Sequence, residues 1–358
     1  MEIISGSKLA HRMSELAAAA MLLLCSNAAF AQSSIAIYGD LDIGAQYLTN
    51  ADANGKSVFG LQSGNASPTR FGLTGAEDLG GGYKAIFKLE SGFNIANGQY
   101  VFSGVPFDRY AYVGLDSKFG TLTFGRQRSL LFEQSVLYDP TYLAQFSTMS
   151  TNYIPLGSLN QNNAVKYISA PYAGVSGALM YGFGQQVAGN FRAGQFISGL
   201  LAYEAGGFGA RVVYEQSKGT VTTAPSLDQS GLVDRRVSLA ARYKRALTTA
   251  YAWYTNVSGD LHYSPPGNVY GGGLSQQFFP DFSVVGEVNH YQTRDDSGHP
   301  TWFTIGALYN LSKRTTLYVF GSVLRNNGGR GFTVNTYDLV SPGNTNQTGV
   351  QVGINHLF

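Results

Sequence analysis

The feature that most limits what this chain can become is a period of two. Segments of roughly ten residues alternate apolar and polar side chains, and they recur from residue 34 to the C-terminus. The stretch TRFGLTGAEDLGGGYKAIFKLESGF, Thr69 to Phe93, shows the pattern twice, on either side of a break at Asp78-Leu79-Gly80-Gly81-Gly82. Successive side chains of a strand point to opposite faces, so Arg70, Lys84, Lys88 and Glu90 share one face. Phe71, Leu73, Tyr83, Ala85, Phe87 and Leu89 share the other.

The same pattern predicts strands at about 34–47, 68–77, 83–93, 107–116, 120–127, 162–170, 174–184 and 195–205. A second set falls at about 208–216, 232–243, 247–257, 268–278, 282–292, 301–311, 315–326 and 347–358, sixteen segments in all. Their connections alternate between tight turns, such as Ser117 to Gly120 and Lys244 to Ala246, and long polar stretches at 48–67, 128–161, 217–231 and 327–346. Short turns at one end and long loops at the other are the signature of a transmembrane β-barrel. No linker or composition shift divides the chain, so residues 32–358 are expected to form one domain.

A soluble sandwich would also alternate, but it would have to find partners for many wide apolar faces. A barrel instead gives those faces to lipid and the polar faces to water. Phe71 and Leu73 then meet hydrocarbon and Arg70 and Glu90 meet the lumen, and closure leaves no strand edge unpaired. The first strand fits, with Ile35, Ile37, Leu41 and Ile43 opposing Tyr38, Asp40, Asp42 and Gln46. Sixteen strands leave an aqueous channel where eight would be filled by side chains.

The N-terminus sets the compartment. Lys8 and Arg12 precede an apolar run, Leu16 to Cys25, and Ala29-Phe30-Ala31 supplies a cleavage site, so residues 1–31 are expected to be a secretory signal. Removing it takes Lys8 and Arg12 from 24 basic residues and Glu2 and Glu15 from 22 acidic ones, leaving the formal charge at +2. That balance gives no support to nucleic-acid binding. Cys25, the only cysteine, leaves with the signal, which excludes disulfides and cysteine-ligated metals. The 45 glycines, abundant Tyr and Phe, and a charged fraction of 13%, about half the usual quarter, suit many strands and few solvated helices.

The longest connection, 128–161, is functional or disordered by length alone. Its Leu130, Leu131, Phe132, Leu137, Tyr138, Tyr142 and Phe146 are too apolar for a free loop, and packing against the inner wall is expected.

Taken in order, SIAIYGDLDIGAQY, TRFGLTGAEDLGGGYKAIFKLESGF, DRYAYVGLDSKFGTLTFGRQ, NNAVKYISAPYAGVSGALMYGFG and GVQVGINHLF resemble the trimeric general porins of Gram-negative outer membranes, notably the neisserial-type branch of betaproteobacteria. The resemblance implies an all-β, 16-stranded antiparallel barrel, a homotrimer, and a third loop, 128–161, folded inward to constrict the channel. It implies a constriction that pairs basic wall residues with acids on the loop. By motif, Arg70 in TRFGL and Arg109 in DRYAYVGL match wall arginines, and Glu90 in KLESGF matches a wall acid. Lys84, Lys88 and Lys166 share the predicted inner faces, and Glu133 and Asp139 are the acids of the loop. Asn160 and Gln161 stand where many relatives carry a further arginine, and the loop lacks the Pro-Glu-Phe-Gly turn, so a less basic constriction is expected. The terminal Phe358, with Val350, Val352 and Ile354, resembles the signal read by the outer-membrane assembly machinery. Lipid and lipopolysaccharide are the expected surroundings and small hydrophilic solutes the expected cargo.

By parity Arg126 faces outward with Leu122 and Phe124, where an arginine near mid-bilayer would cost about 2–4 kcal/mol, so it is expected at the rim or beneath a neighbouring subunit. An enzymatic barrel finds no support, because no Ser or Asp is placed by motif beside His262, His290, His299 or His356. The glycine runs lack a following Lys-Ser/Thr. A plugged adhesin-like barrel conflicts with wall arginines facing an inward loop, whereas a substrate-specific channel stays open beside a general one. The expected function is passive diffusion without cofactor, with a weak preference for anions.

Overall fold

The computed structural model describes residues 34–149, 159–223, 226–262, 264–329, 331–335 and 343–358. The expected signal segment, 1–31, and part of the loop at 128–161 lie outside them. In chain order the strands are β1 Ser34–Leu48, β2 Val58–Ser63, β3 Arg70–Gly80, β4 Tyr83–Gly92, β5 Tyr110–Ser117 and β6 Gly120–Arg128. Then come helix α1 Leu130–Tyr138, β7 Asn160–Ser169, β8 Val175–Gly182, β9 Phe196–Ala205, β10 Phe208–Lys218, β11 Val221–Thr223 and β12 Ser226–Asp228. The chain ends with β13 Val233–Arg245, β14 Thr248–Gly259, β15 Gly267–Phe279, β16 Phe282–Thr293, β17 Thr301–Asn310, β18 Thr315–Arg325 and β19 Gln347–Leu357.

Each long strand pairs antiparallel with its neighbours, and β1 closes the wall on β19 in the register Asp40↔Leu357 to Leu48↔Gly349. On its other edge β1 pairs with β3 over Ser34–Asp40 and with β2 over Ile43–Leu48, so β2 completes an edge that β3 leaves open. Sixteen strands run round this closed barrel, as the alternation predicts. The small β2 and the β11–β12 hairpin lie inside connections expected to be irregular. No helix among the described residues is long and apolar enough to cross a membrane, which leaves the crossing to strands.

Parity is visible in exposure. Ile35, Ile37, Leu179 and Ile305 are each more than 60% exposed, while Asp40, Asp42, Ser198, Glu215 and Ser238 on the opposite faces are buried. This is the reverse of a water-soluble protein, and it follows from lipid outside and a packed polar interior inside. The buried apolar residues gather where the segment after β6 meets the wall. Leu130 and Leu131 pack with Met180, Phe196 and Val213. Tyr138, Leu143 and Met149 pack with Ala240 and Trp253, and Phe146 joins Trp302, Phe320 and Leu324.

Helix α1 has clear local causes. Ser129 caps it, its hydroxyl accepting from Phe132 N–H at 3.2 Å, and Glu133 lies in the first turn, favourable at the positive end of the helix dipole. Pro140 stops it, because the residue before a proline is pushed to extended backbone, and Asp139 has φ −104° and ψ 125°. Where loop and wall touch, the wall is thinned to glycine. A Cβ on Gly273 would lie 2.7 Å from Pro140 Cγ, and one on Gly349 would enter the Phe146 ring.

Candidate channel lining

The residues on the inward faces of β1, β3, β4 and β5 converge on Glu90. Arg109, just before β5, places Nε 2.6 Å from Glu90 Oε1, and Lys88 Nζ stands 3.4 Å from Oε2. Arg70 Nε is 3.9 Å from Oε2, and Tyr38 donates its hydroxyl to the same oxygen at 2.7 Å. Arg70 turns its Nη2 to Asp40 at 3.0 Å and donates through Nη1 to Ser67 and the Pro68 carbonyl. Lys88 lies 4.2 Å from the centre of the Tyr110 ring, in cation–π contact.

The two carboxylates are buried behind the cations. Glu90 and Asp40 side chains are 3% and 4% exposed, whereas Arg70, Lys88 and Arg109 are 24%, 26% and 13% exposed. A cavity of about 320 Å³ opens onto Arg70, Lys88, Arg109 and Arg128, with Tyr142 and Gln145 of the loop among its lining. Water in that cavity therefore meets chiefly Arg70, Lys88 and Arg109, while Arg128 and Glu90, which also line it, are buried, and Asp40 is set back in the wall.

Two further predicted residues form a separate pair. Lys166 Nζ is 2.6 Å from Glu133 Oε1 and donates to the Arg128 carbonyl at 3.2 Å, so β7 holds the start of α1. Glu215 on β10 accepts from Leu131 N–H at 2.9 Å, a carboxylate at the helix N-terminus. Further along, Glu287 Oε1 accepts from Thr148 N–H at 2.7 Å and Thr304 donates to the Phe146 carbonyl at 2.6 Å. The described part of 128–161 is thus bound to inward-facing residues of β7, β10, β16 and β17.

Two expectations need correction. Lys84 does not join the cluster. It is exposed next to the β3–β4 turn, opposite Asp116 and Asp78, six residues or roughly 20 Å along β4 from Glu90 at about 3.3 Å per residue. Asp139 does not face the arginines. It is fully buried and accepts from Thr141 N–H at 2.7 Å, Thr141 Oγ1 at 2.8 Å and the Ser147 hydroxyl, which hold the turn after α1. Burial raises its carboxyl above the ordinary range, against the lowering effect of those hydrogen bonds.

Arg126 lies at the loop end of β6, its Nε donating to the Asp108 carbonyl at 2.7 Å and its Nη1 to Asn162. Of the two expectations for it, the rim is the one this position fits. Phe358 pairs with Gly39 at the foot of β1. No sequence motif assigns a site role to a second basic group, Arg211 and Arg242, whose guanidinium carbons stand 5.7 and 5.3 Å from the Tyr138 ring centre. Arg242 pairs with Glu204 at 3.1 Å, and Glu204 also accepts from the Tyr138 hydroxyl at 3.0 Å. On β10 Arg211 shares the inner face with buried Val213 and Glu215, and no sequence motif marks it.

Comparisons agree with this architecture. The profile described as Gram-negative porin matches residues 17–329. Outer membrane porin protein 32 of Delftia acidovorans is 30% identical, covering 94% of this chain and 97% of that protein. An outer membrane porin of Bordetella pertussis is 30% identical over 96% of this chain and 99% of its own. Among solved structures, the anion-selective porin from Comamonas acidovorans superposes with a TM-score of 0.78 at 28% identity, covering 91% of this chain and all of the other. Salmonella typhi OmpF, at 16% identity and a TM-score of 0.65, shares the fold.

Proposed function

The chain belongs to the Gram-negative porin family, and from that premise we propose that its channel favours small anions because its lumen presents cations and hides their carboxylates. The protein is an outer-membrane, multi-pass β-barrel that forms a channel for passive diffusion. Selectivity is the finer step. One observation carries it: around Glu90 the three cations are several times more exposed than the two acids that neutralise them. A narrow channel with low-dielectric walls focuses the field of its lining charges, so this local arrangement outweighs a net protein charge of only +2. The anion-selective Comamonas porin points the same way.

The constriction is formed by Arg70, Lys88, Glu90 and Arg109 on the wall and by the segment 128–161 opposite them. Lys166 and Glu133 position that segment, and Asp139 stiffens its turn. The chain assembles as a homotrimer in lipid and lipopolysaccharide, with Phe358 read by the outer-membrane assembly machinery and residues 1–31 removed on export. The barrel is read as a transporter, as its relatives are porins, and His290 and His356 each meet a threonine on a neighbouring strand. Reconstitution into a planar bilayer tests the channel. Stepwise conductance increments, in groups of three from one insertion, are expected. A protein that runs as folded trimer on unheated electrophoresis yet yields no steps contradicts the account.

A further inference from the structure

Most inner-wall cations come with carboxylates: Arg70 with Asp40, Arg109 and Lys88 with Glu90, Lys166 with Glu133, Arg236 on β13 with Asp234, and Arg242 with Glu204. Arg211 differs. Among the described residues it has no acid within ion-pair distance, and its Nε is buried without a hydrogen-bond partner. A buried guanidinium donor left unpaired is costly and calls for an acceptor.

Arg211 lines a cavity of about 380 Å³ between α1 and the wall of β7 to β10. The rest of the lining is mostly apolar, including Leu130, Phe132, Val136, Ala178 and Leu200. The one acid on it, Glu133, is already neutralised by Lys166 at 2.6 Å. In a water-filled channel such a pocket is poorly suited to a hydrated inorganic ion, because those walls offer nothing to replace its hydration shell. It suits a solute with an apolar body and one anionic end, and its volume lies within the range of small-molecule sites. The rings of Phe132 and Tyr110 at the cavity favour a flat, aromatic body.

We propose that this pocket is a binding site for small aromatic monocarboxylates, with Arg211 taking the carboxylate and the face of α1 taking the ring. It rests on the channel function and adds a solute class to it. Its consequence is that such solutes dwell beside the constriction instead of passing as chloride does.

The test compares benzoate, acetate and benzyl alcohol as blockers of single-channel current, with calorimetry on the detergent-solubilised protein as a readout that needs no conductance. Benzoate is expected to act at a concentration at least about tenfold below acetate, a difference of about 1.4 kcal/mol. Benzyl alcohol, which lacks the charge, is expected to match acetate at best. Arg211→Gln should bring benzoate within about twofold of acetate on the same scale, and Ala178→Leu, which fills the pocket from the wall, should do likewise. Folding of both variants is read from the trimer band on unheated electrophoresis. Equal block by benzoate and acetate, equal binding of benzoate and benzyl alcohol, or undiminished discrimination in folded Arg211→Gln would overturn the proposal. A missing conductance with benzoate binding intact by calorimetry would instead count against the channel and spare the site.

Discussion

Gly39 and Phe358 exchange both backbone hydrogen bonds, each N–H meeting the other's carbonyl oxygen at 3.1 Å, and the phenyl ring lies over Gly39 where any Cβ would collide with it. They form the last rung of the seam between β1 and β19, one step beyond Asp40 and Leu357. The seam joins the two ends of the chain, and in hydrocarbon an unclosed edge is not tolerated.

Closure should therefore depend on both partners. Deleting Phe358, or replacing Gly39 with Val so that the ring is displaced, should lower the amount of folded protein in the outer membrane. Expression followed by unheated electrophoresis of membrane fractions measures this. Insertion equal to wild type in both variants would show that the rung does not matter.

Glu287 and Thr148 provide a second test. The Glu287 carboxylate accepts from Thr148 N–H at 2.7 Å, holding the loop to β16, and removing it leaves a buried donor unsatisfied. Glu287→Ala should cost about 1–3 kcal/mol and show as noisier open-channel current. A quiet channel of unchanged thermal stability would contradict this tether.

Asp139 predicts a pH dependence. Burial raises its carboxyl above the ordinary carboxylate range, so the folded chain holds this proton more readily than the unfolded one. Stability then falls as pH rises from the ordinary carboxylate range through the raised value, and recovers on acidification. Asp139 hydrogen-bonds the Glu287 carboxyl, so the proton belongs to the pair; Asp139→Asn keeps the oxygen that Thr141 bonds and removes one ionisation of that pair, so the pH dependence of the trimer's melting temperature should change. A variant with the wild-type profile would place the titration elsewhere.

What the sequence revealed and what it concealed divide along physical lines. The wall was legible because lipid and water impose period two, and the turns at Gly80–Tyr83 and Ser117–Gly120 punctuate it. Arg70, Lys88, Glu90 and Arg109 were legible because parity and motif agree. The irregularity between Gly125 and Gln127 shifts the register of β6 against β7, and alternation alone cannot foresee it. Lys84 shares a face with Glu90, but height along a strand is invisible to parity. Asp139 was misjudged and Arg211 missed because burial is set by the folded loop against the wall: the turn after α1 closes over Asp139, and the face of α1 lies against Arg211.

Exposed cations in front of buried carboxylates set selectivity, and the reversal potential of the channel in a KCl gradient reads their effect. The wild type should reverse on the anion-selective side. Arg70→Gln with Arg109→Gln should move the reversal toward cation preference, and the shift should shrink at high salt, where the Debye length falls to about 3 Å at 1 M. A cation-selective wild type, or a folded double variant with an unaltered reversal potential, would contradict the account.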